Sequence, residues 1–82
     1  MFVVYVLYSE RFDKIYVGFT SNLEQRLKSH NELGKKGWTI RFRPWTVIYT
    51  EQYDDKSIAI KREQQSKSGQ GREFIRSLIF KK

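Results

Sequence analysis

Five side chains in this sequence have the types and order that phosphate chemistry asks for. Tyr5 ends the run Val3-Val4-Tyr5, and Tyr16 opens the run Tyr16-Val17-Gly18, eleven positions on. Arg26 and His30 follow four residues apart, and Glu63 comes later. Phenol, guanidinium, imidazole and carboxylate are the groups a metal-assisted phosphodiesterase site uses. Arginine presents a fixed fork of donors where negative charge develops during phosphoryl transfer. One carboxylate is a sparse metal site, and it suits Mg²⁺, which keeps several waters. A metal-bound water has a lowered pKa, which helps a weak base. Tyrosine, with an ordinary pKa of about 10, acts as that base near neutrality only if Arg26 or a metal lowers its value.

These groups need a scaffold, and the apolar pattern describes one. Residues 2–8 are β-branched or aromatic almost throughout and read as a strand. Phe2, Val4, Val6 and Tyr8 fall on one face, and Val3, Tyr5 and Leu7 on the other, so the strand is expected to be central and covered on both sides. Ser9 to Lys14 is short and polar, which fits a hairpin loop, and Ile15 to Phe19 is the return strand. Gly18 inside a strand marks a bend or a close approach.

Ser21 followed by Glu24 predicts a capping box and a helix running to about Asn31. Leu23 and Leu27 then face the core, while Arg26 and His30 share another face. Residues 34–38 form a glycine-punctuated basic loop, continued by Arg41 and Arg43 and ended by Pro44. Trp45 to Tyr53 reads as a third strand. Asp54 and Asp55 are N-cap candidates for a helix over about Ser57 to Lys67, with Ile58 and Ala59 inward and Glu63 on it. Gly69-Gln70-Gly71 is expected to break that helix. A last one over Arg72 to Phe80 carries Phe74, Ile75, Leu78 and Ile79 on one face.

Bulk properties set limits. Eighty-two residues make one domain, 1–82. So short a chain buries roughly 60–65% of its unfolded surface, which leaves room for a surface cleft and little for an enclosed cavity. The absence of cysteine excludes disulfides and cysteine-based zinc sites, and fits the cytoplasm. The start Met-Phe-Val-Val-Tyr has no signal-peptide pattern, and no apolar run approaches ~18 residues, so no membrane is expected. Sixteen basic against nine acidic residues give a formal charge of +7, the footprint of a polyanion partner.

From Phe2 to about Ile79 the sequence resembles the GIY-YIG nucleases. It looks like the small stand-alone bacterial group that resembles the excinuclease C amino-terminal domain. Val3-Val4-Tyr5 and Tyr16-Val17-Gly18 match the two name motifs, and Arg26, His30 and Glu63 match the later positions. The resemblance implies an α+β fold, a three-stranded antiparallel sheet flanked by helices in the order β-β-α-β-α-α. It also implies hydrolysis of a DNA phosphodiester with one divalent ion, Mg²⁺ or Mn²⁺. Carried over, Glu63 is the metal ligand and Arg26 holds the scissile phosphate. Tyr5 and Tyr16 position or deprotonate the attacking water, and His30 assists proton transfer. Which tyrosine is the base stays open.

Two positions depart from the family pattern. Val3 stands where the family name has glycine. Some relatives carry an asparagine after the glutamate; here Asn22 and Asn31 both precede Glu63, so that contribution is absent or falls to another group such as Gln65 or Lys67.

Each residue alone has an ordinary explanation. Strand tyrosines are usually core residues with one satisfied hydroxyl, Arg26 and His30 can be a solvated helix face, and Glu63 can pair with Lys67 at i+4. Only the joint pattern carries the chemistry. Lys35, Lys36, Arg41 and Arg43 are the expected contacts to a DNA backbone, with Trp38 or Trp45 available to stack on a base; solubility is the plain alternative for the charges and the core for Trp45. The expected activity is a metal-dependent DNA endonuclease in repair or recombination. Its selectivity would come from DNA shape or a partner protein rather than base sequence. The second reading is a nucleic-acid-binding module on the same scaffold that cleaves nothing, and a protein-interaction domain is a weaker third.

Overall fold

The computed structural model describes residues 1–33 and 38–80. Its elements run β1 (Phe2–Ser9), β2 (Lys14–Thr20), α1 (Leu23–Lys28), β3 (Thr46–Tyr53), α2 (Lys56–Ser66) and α3 (Gly69–Phe80). The strands make one antiparallel sheet in the order β2-β1-β3. This is the expected α+β architecture, with β1 central.

β1 is central because both its faces are apolar. Val4 and Val6 pack with Val17, Ala59 and Ile75 on the α2/α3 side. Tyr5 and Leu7 pack with Trp45, and Leu23 and Leu27 of α1 close over them on the other side. Leu7 is fully buried, so truncation to alanine costs about 2–5 kcal/mol. In β3 the register slips between Val6 and Leu7, which pair with Tyr49 and Val47 respectively. The extra residue is Ile48, so Ile48 and its neighbour Tyr49 both reach the α2/α3 core. The hairpin between β1 and β2 closes through Asp13 at φ 52°, a left-handed turn that aspartate tolerates. Tyr8 and Arg76 both donate to Asp13 Oδ1, at 2.9 and 2.6 Å, and tie the hairpin to α3.

Several local expectations are corrected. The cap of α1 is Asn22, not Ser21: its side chain accepts from the Gln25 N–H at 3.1 Å, while the Thr20 hydroxyl accepts from Asn22 N–H. Asparagine caps as well as serine, and the strand's last threonine fixes Asn22 in place. The α-helix stops at Lys28 and continues as one π turn over Ser29–Leu33, beyond the expected end at Asn31. Residues Trp38–Phe42 form a short 3₁₀ helix rather than a loop.

Asp55 caps α2 as expected, accepting from Ser57 N–H at 2.8 Å. Ala59 is fully buried, but Ile58 is 49% exposed and belongs to no core. A helix lying this close to a sheet buries a narrow stripe, and Ile58 falls one residue outside it. Gly69-Gln70-Gly71 does not break the helix; it opens α3. The break is at Lys67 and Ser68. The Ser68 carbonyl takes the Arg72 N–H at 2.9 Å and its hydroxyl takes the Gly71 N–H at 3.3 Å. Gly71 is glycine for another reason: a Cβ there would lie 2.5 Å from the carbonyl oxygens of Gln65 and Ser66. On α3, Ile75 is buried and Phe74 is 43% exposed, its ring edge-on to Tyr49.

Candidate active site

The α1 face of the sheet gathers four of the five chemical residues. Tyr5 sits on the central strand, 1% exposed, directly across from Gly18. A Cβ on Gly18 would lie 2.6 Å from the Tyr5 hydroxyl and 2.8 Å from Cζ, so the phenol fills the space a side chain would take. Tyr16, two residues before Gly18, emerges on the same face, its ring centroid 6.2 Å from that of Tyr5. The His30 ring completes the group, 4.8 Å from Tyr16 and 6.0 Å from Tyr5. Tyr5 Oη and His30 Nε2 are 3.0 Å apart in a buried hydrogen bond. Arg26, one helical turn before His30, faces the Tyr5 hydroxyl as well.

The electrostatics follow from this enclosure. Burial pushes the Tyr5 phenol up to about 12; the nearby Arg26 guanidinium opposes this, and the neighbouring Tyr16 adds to it. Burial also lowers the His30 pKa, and the nearby charges of Arg26 and Arg43 lower it further. Near neutral pH the site therefore holds a neutral Tyr5, a neutral His30 and a permanently charged Arg26.

The π turn that carries His30 is pinned from outside the helix. Arg43 Nε donates to the His30 carbonyl at 2.5 Å and Nη2 to the Ser29 carbonyl at 3.3 Å. Asn31 exchanges two hydrogen bonds with the Trp45 backbone: its Nδ2 donates to the carbonyl at 3.0 Å, and its Oδ1 accepts from the N–H at 2.7 Å. Trp45 Nε1 donates to the Thr39 carbonyl at 2.8 Å. A π turn is a detour of the helix ladder, common at functional sites; the two Arg43 bonds occupy carbonyls of this turn, and the Asn31 side chain ties it to the backbone of Trp45. These roles of Asn31 and Arg43 depend on partners 13 to 14 residues away in the chain and do not show in the local sequence pattern. The available signal was an asparagine inside a helical run, where its side chain competes with the ladder unless it has another partner.

Glu63 is placed differently. It lies on α2, on the other side of the sheet, with its side chain 16% exposed and ion-paired to Lys67 Nζ at 3.2 Å. Its ion-pair partner Lys67 lines, with Ser66, a shallow recess of about 250 Å³ at the β2 edge that also takes in Ile15, Tyr16 and Val17. Among the described residues no three His, Cys, Asp or Glu side chains come together. The donor set fits a hydrated Mg²⁺ or Mn²⁺ held by the single Glu63 carboxylate and does not fit a closed cage of protein ligands.

The basic segment divides. Lys35 and Lys36 lie outside the described residues, as does the Trp38 side chain. Arg41 is exposed, whereas Arg43 is engaged by the π turn. Trp45 is 3% exposed and is core, not a stacking platform. Among the described residues no helix is long and apolar enough to cross a membrane.

Residues 1–74 match the family model described as the GIY-YIG catalytic domain. The chain is 37% identical over 65 residues to the UPF0213 protein of Natronomonas pharaonis, across 79% of this chain and 75% of that one. It is 42% identical over 66 residues to the UPF0213 protein of Syntrophus aciditrophicus, across 77% and 75%. The solution NMR structure of the UPF0213 protein from Bacillus halodurans matches the fold with a TM-score of 0.56 at 25% identity, covering 95% of this chain and 85% of that one.

Proposed function

Because this chain belongs to the GIY-YIG family of nuclease domains, we propose that it is a metal-dependent endonuclease that hydrolyses DNA phosphodiester bonds. The convergence of Tyr5, Tyr16, Arg26 and His30 on one face of the sheet is the observation that carries this reading. Arg26 binds a non-bridging oxygen of the scissile phosphate and offsets the charge that develops on it. The hydrogen bond between His30 Nε2 and the Tyr5 hydroxyl, 3.0 Å long, fixes the phenol. With its pKa raised to about 12, Tyr5 keeps its proton at neutral pH and acts as a donor and spacer. The water-facing role then falls to Tyr16, on the edge strand beside the recess. Glu63 would hold the ion, and Mg²⁺ or Mn²⁺ bound there supplies a water of lowered pKa.

The site lies on a shallow open face, and among the described residues no element projects as a groove reader, which supports selection by DNA shape over base sequence. Repair or recombination in the cytoplasm is the setting such an activity fits, with a partner protein as a second source of selectivity. The test is a panel of single-stranded, duplex, flap and branched DNAs incubated with Mn²⁺ or with EDTA. Metal-dependent nicking that favours one shape is the expected result. DNA binding without nicking of any substrate would select a non-catalytic binding module, a reading that the Glu63–Lys67 ion pair favours.

A further inference from the structure

The recess beside Tyr16 does not end there. It shares Ile15 and Arg72 with a second recess of about 280 Å³, lined by Asp13, Lys14, Ile15, Arg72 and Arg76. The two adjoin at these shared residues and together make an open groove that follows the β2 edge from Tyr16 towards the hairpin turn. Four cations border it: Lys67 from the end of α2, Lys14 from β2, and Arg72 and Arg76 from α3. Two of these charges are answered locally. Lys67 pairs with Glu63 at 3.2 Å, and Arg76 pairs with Asp13 at 2.6 Å. Lys14 and Arg72 are exposed. Lys14 Nζ stands 5.4 Å from the centre of the Phe42 ring, a contact that leaves its charge intact.

The spacing suits an extended polyanion. Lys14 and Tyr16, two residues apart on one strand face, are separated by about 6.6 Å along β2. Arg72 and Arg76, one turn apart, are separated by about 6 Å along α3. Both are close to the step from one backbone phosphate to the next. The groove is open along its length and mixed in character, which suits a strand passing through it better than a small enclosed anion.

We propose that this groove is the track for the DNA strand flanking the cleavage point, with Lys14 and Arg72 as its main phosphate contacts. The track rests on the nuclease reading of the Tyr16 site and adds the path of the substrate to it. It lies at the opposite end of β2 from the α1 cap and uses no residue of the basic segment 35–43. Backbone contacts of this kind carry no base information, which agrees with shape-based selection.

The experiment is a salt titration of DNA affinity for the native protein and the double variant Lys14→Ala/Arg72→Ala, using one fluorescent duplex without metal. Each lost phosphate contact should lower the slope of log K against log salt by about 0.9, so the pair should lower it by about 1.8. At 0.1 M salt the affinity should fall on the order of 100-fold, from the same slopes. Both residues are exposed, so the fold should survive, and the charge-keeping variant Lys14→Arg/Arg72→Lys should recover the native slope. An unchanged slope in the alanine variant, beside a steep native one, would overturn the track and leave the nuclease reading standing. A native protein with no salt-dependent affinity would overturn both.

Discussion

The hydroxyl of Tyr5 occupies the position that a side chain on Gly18 would claim: the two residues face each other across β1 and β2, and a Cβ on Gly18 would fall 2.6 Å from Tyr5 Oη. The glycine of Tyr16-Val17-Gly18 is therefore a seat for the tyrosine of Val3-Val4-Tyr5. The Gly18 backbone needs no left-handed conformation; the constraint is purely one of space.

Gly18→Ala should push the Tyr5 ring out of its seat and away from His30. Overpacking of this kind costs about 1–3 kcal/mol, and misplacing a reacting group by about 1 Å can cost on the order of 100-fold in rate. Thermal unfolding and single-turnover cleavage check the two effects. A variant with native rate and native stability would show that the seat has slack.

The buried Tyr5–His30 pair makes stability depend on pH at both ends. Tyr5 has its folded pKa raised from 10 to about 12, so its contribution is full below pH 10 and is lost as pH rises through 12. Two units correspond to about 2–3 kcal/mol. His30 is depressed below 6.5, so its contribution is full above pH 6.5 and is lost as pH falls towards the folded value. Chemical denaturation across pH should show Tyr5→Phe flattening the alkaline limb and His30→Gln flattening the weakly acidic one. The carboxylates beside Tyr8, Tyr49 and Tyr53 raise those phenols too, so the difference between native and variant is the quantity to read.

A second network predicts the behaviour in strong acid. Glu51 accepts from Arg62 Nε and Nη2 at 2.6 and 3.0 Å, from Tyr53 at 2.7 Å, and from Tyr49. The Arg62 guanidinium, helped by both phenols, holds its carboxyl down at about 2. A depressed acid contributes stability above its ordinary value near 4.5 that is lost as pH falls towards 2. The loss should be about 2–3 kcal/mol in the native protein and should be absent in Glu51→Gln, which starts from a lower plateau. Denaturant midpoints between pH 5 and pH 2 would show it.

Arg43 and Arg41 should separate cleanly. Arg43→Ala removes the donors that hold the His30 and Ser29 carbonyls. It should cost about 1–3 kcal/mol of stability and weaken cleavage through His30. Arg41 is exposed, and its alanine variant should leave stability within about 0.5 kcal/mol. Equal effects from the two would contradict the pinned π turn.

The strands and the central place of β1 were legible because β-branched and aromatic residues fill both faces of residues 2–8, and local pattern alone decides that. The shared face of Arg26 and His30 was legible from their spacing, and the π turn begins late enough not to separate them. What stayed hidden depends on partners distant in the chain. Arg43 looks like one more charge in a basic loop until the carbonyls 13 and 14 residues earlier are brought to it. Gly71 looks like a helix breaker until the end of α2 is seen against it. Asn22 took the cap from Ser21 because Thr20 holds it, a choice among three adjacent cap formers that spacing cannot make. Glu63 could be placed on α2, but its side of the sheet follows only from which helix face buries Ala59.

Cleavage by paired variants in Mn²⁺ tests the nuclease assignment most directly. The native protein, Glu63→Ala and Arg26→Ala would be compared on the DNA shape that is cut best, with EDTA as the blank. Nicking that needs the metal and falls at least 100-fold in both variants, with DNA affinity in Glu63→Ala close to native, is the predicted result. Nicking that persists in both would contradict it and assign the activity to something other than this site.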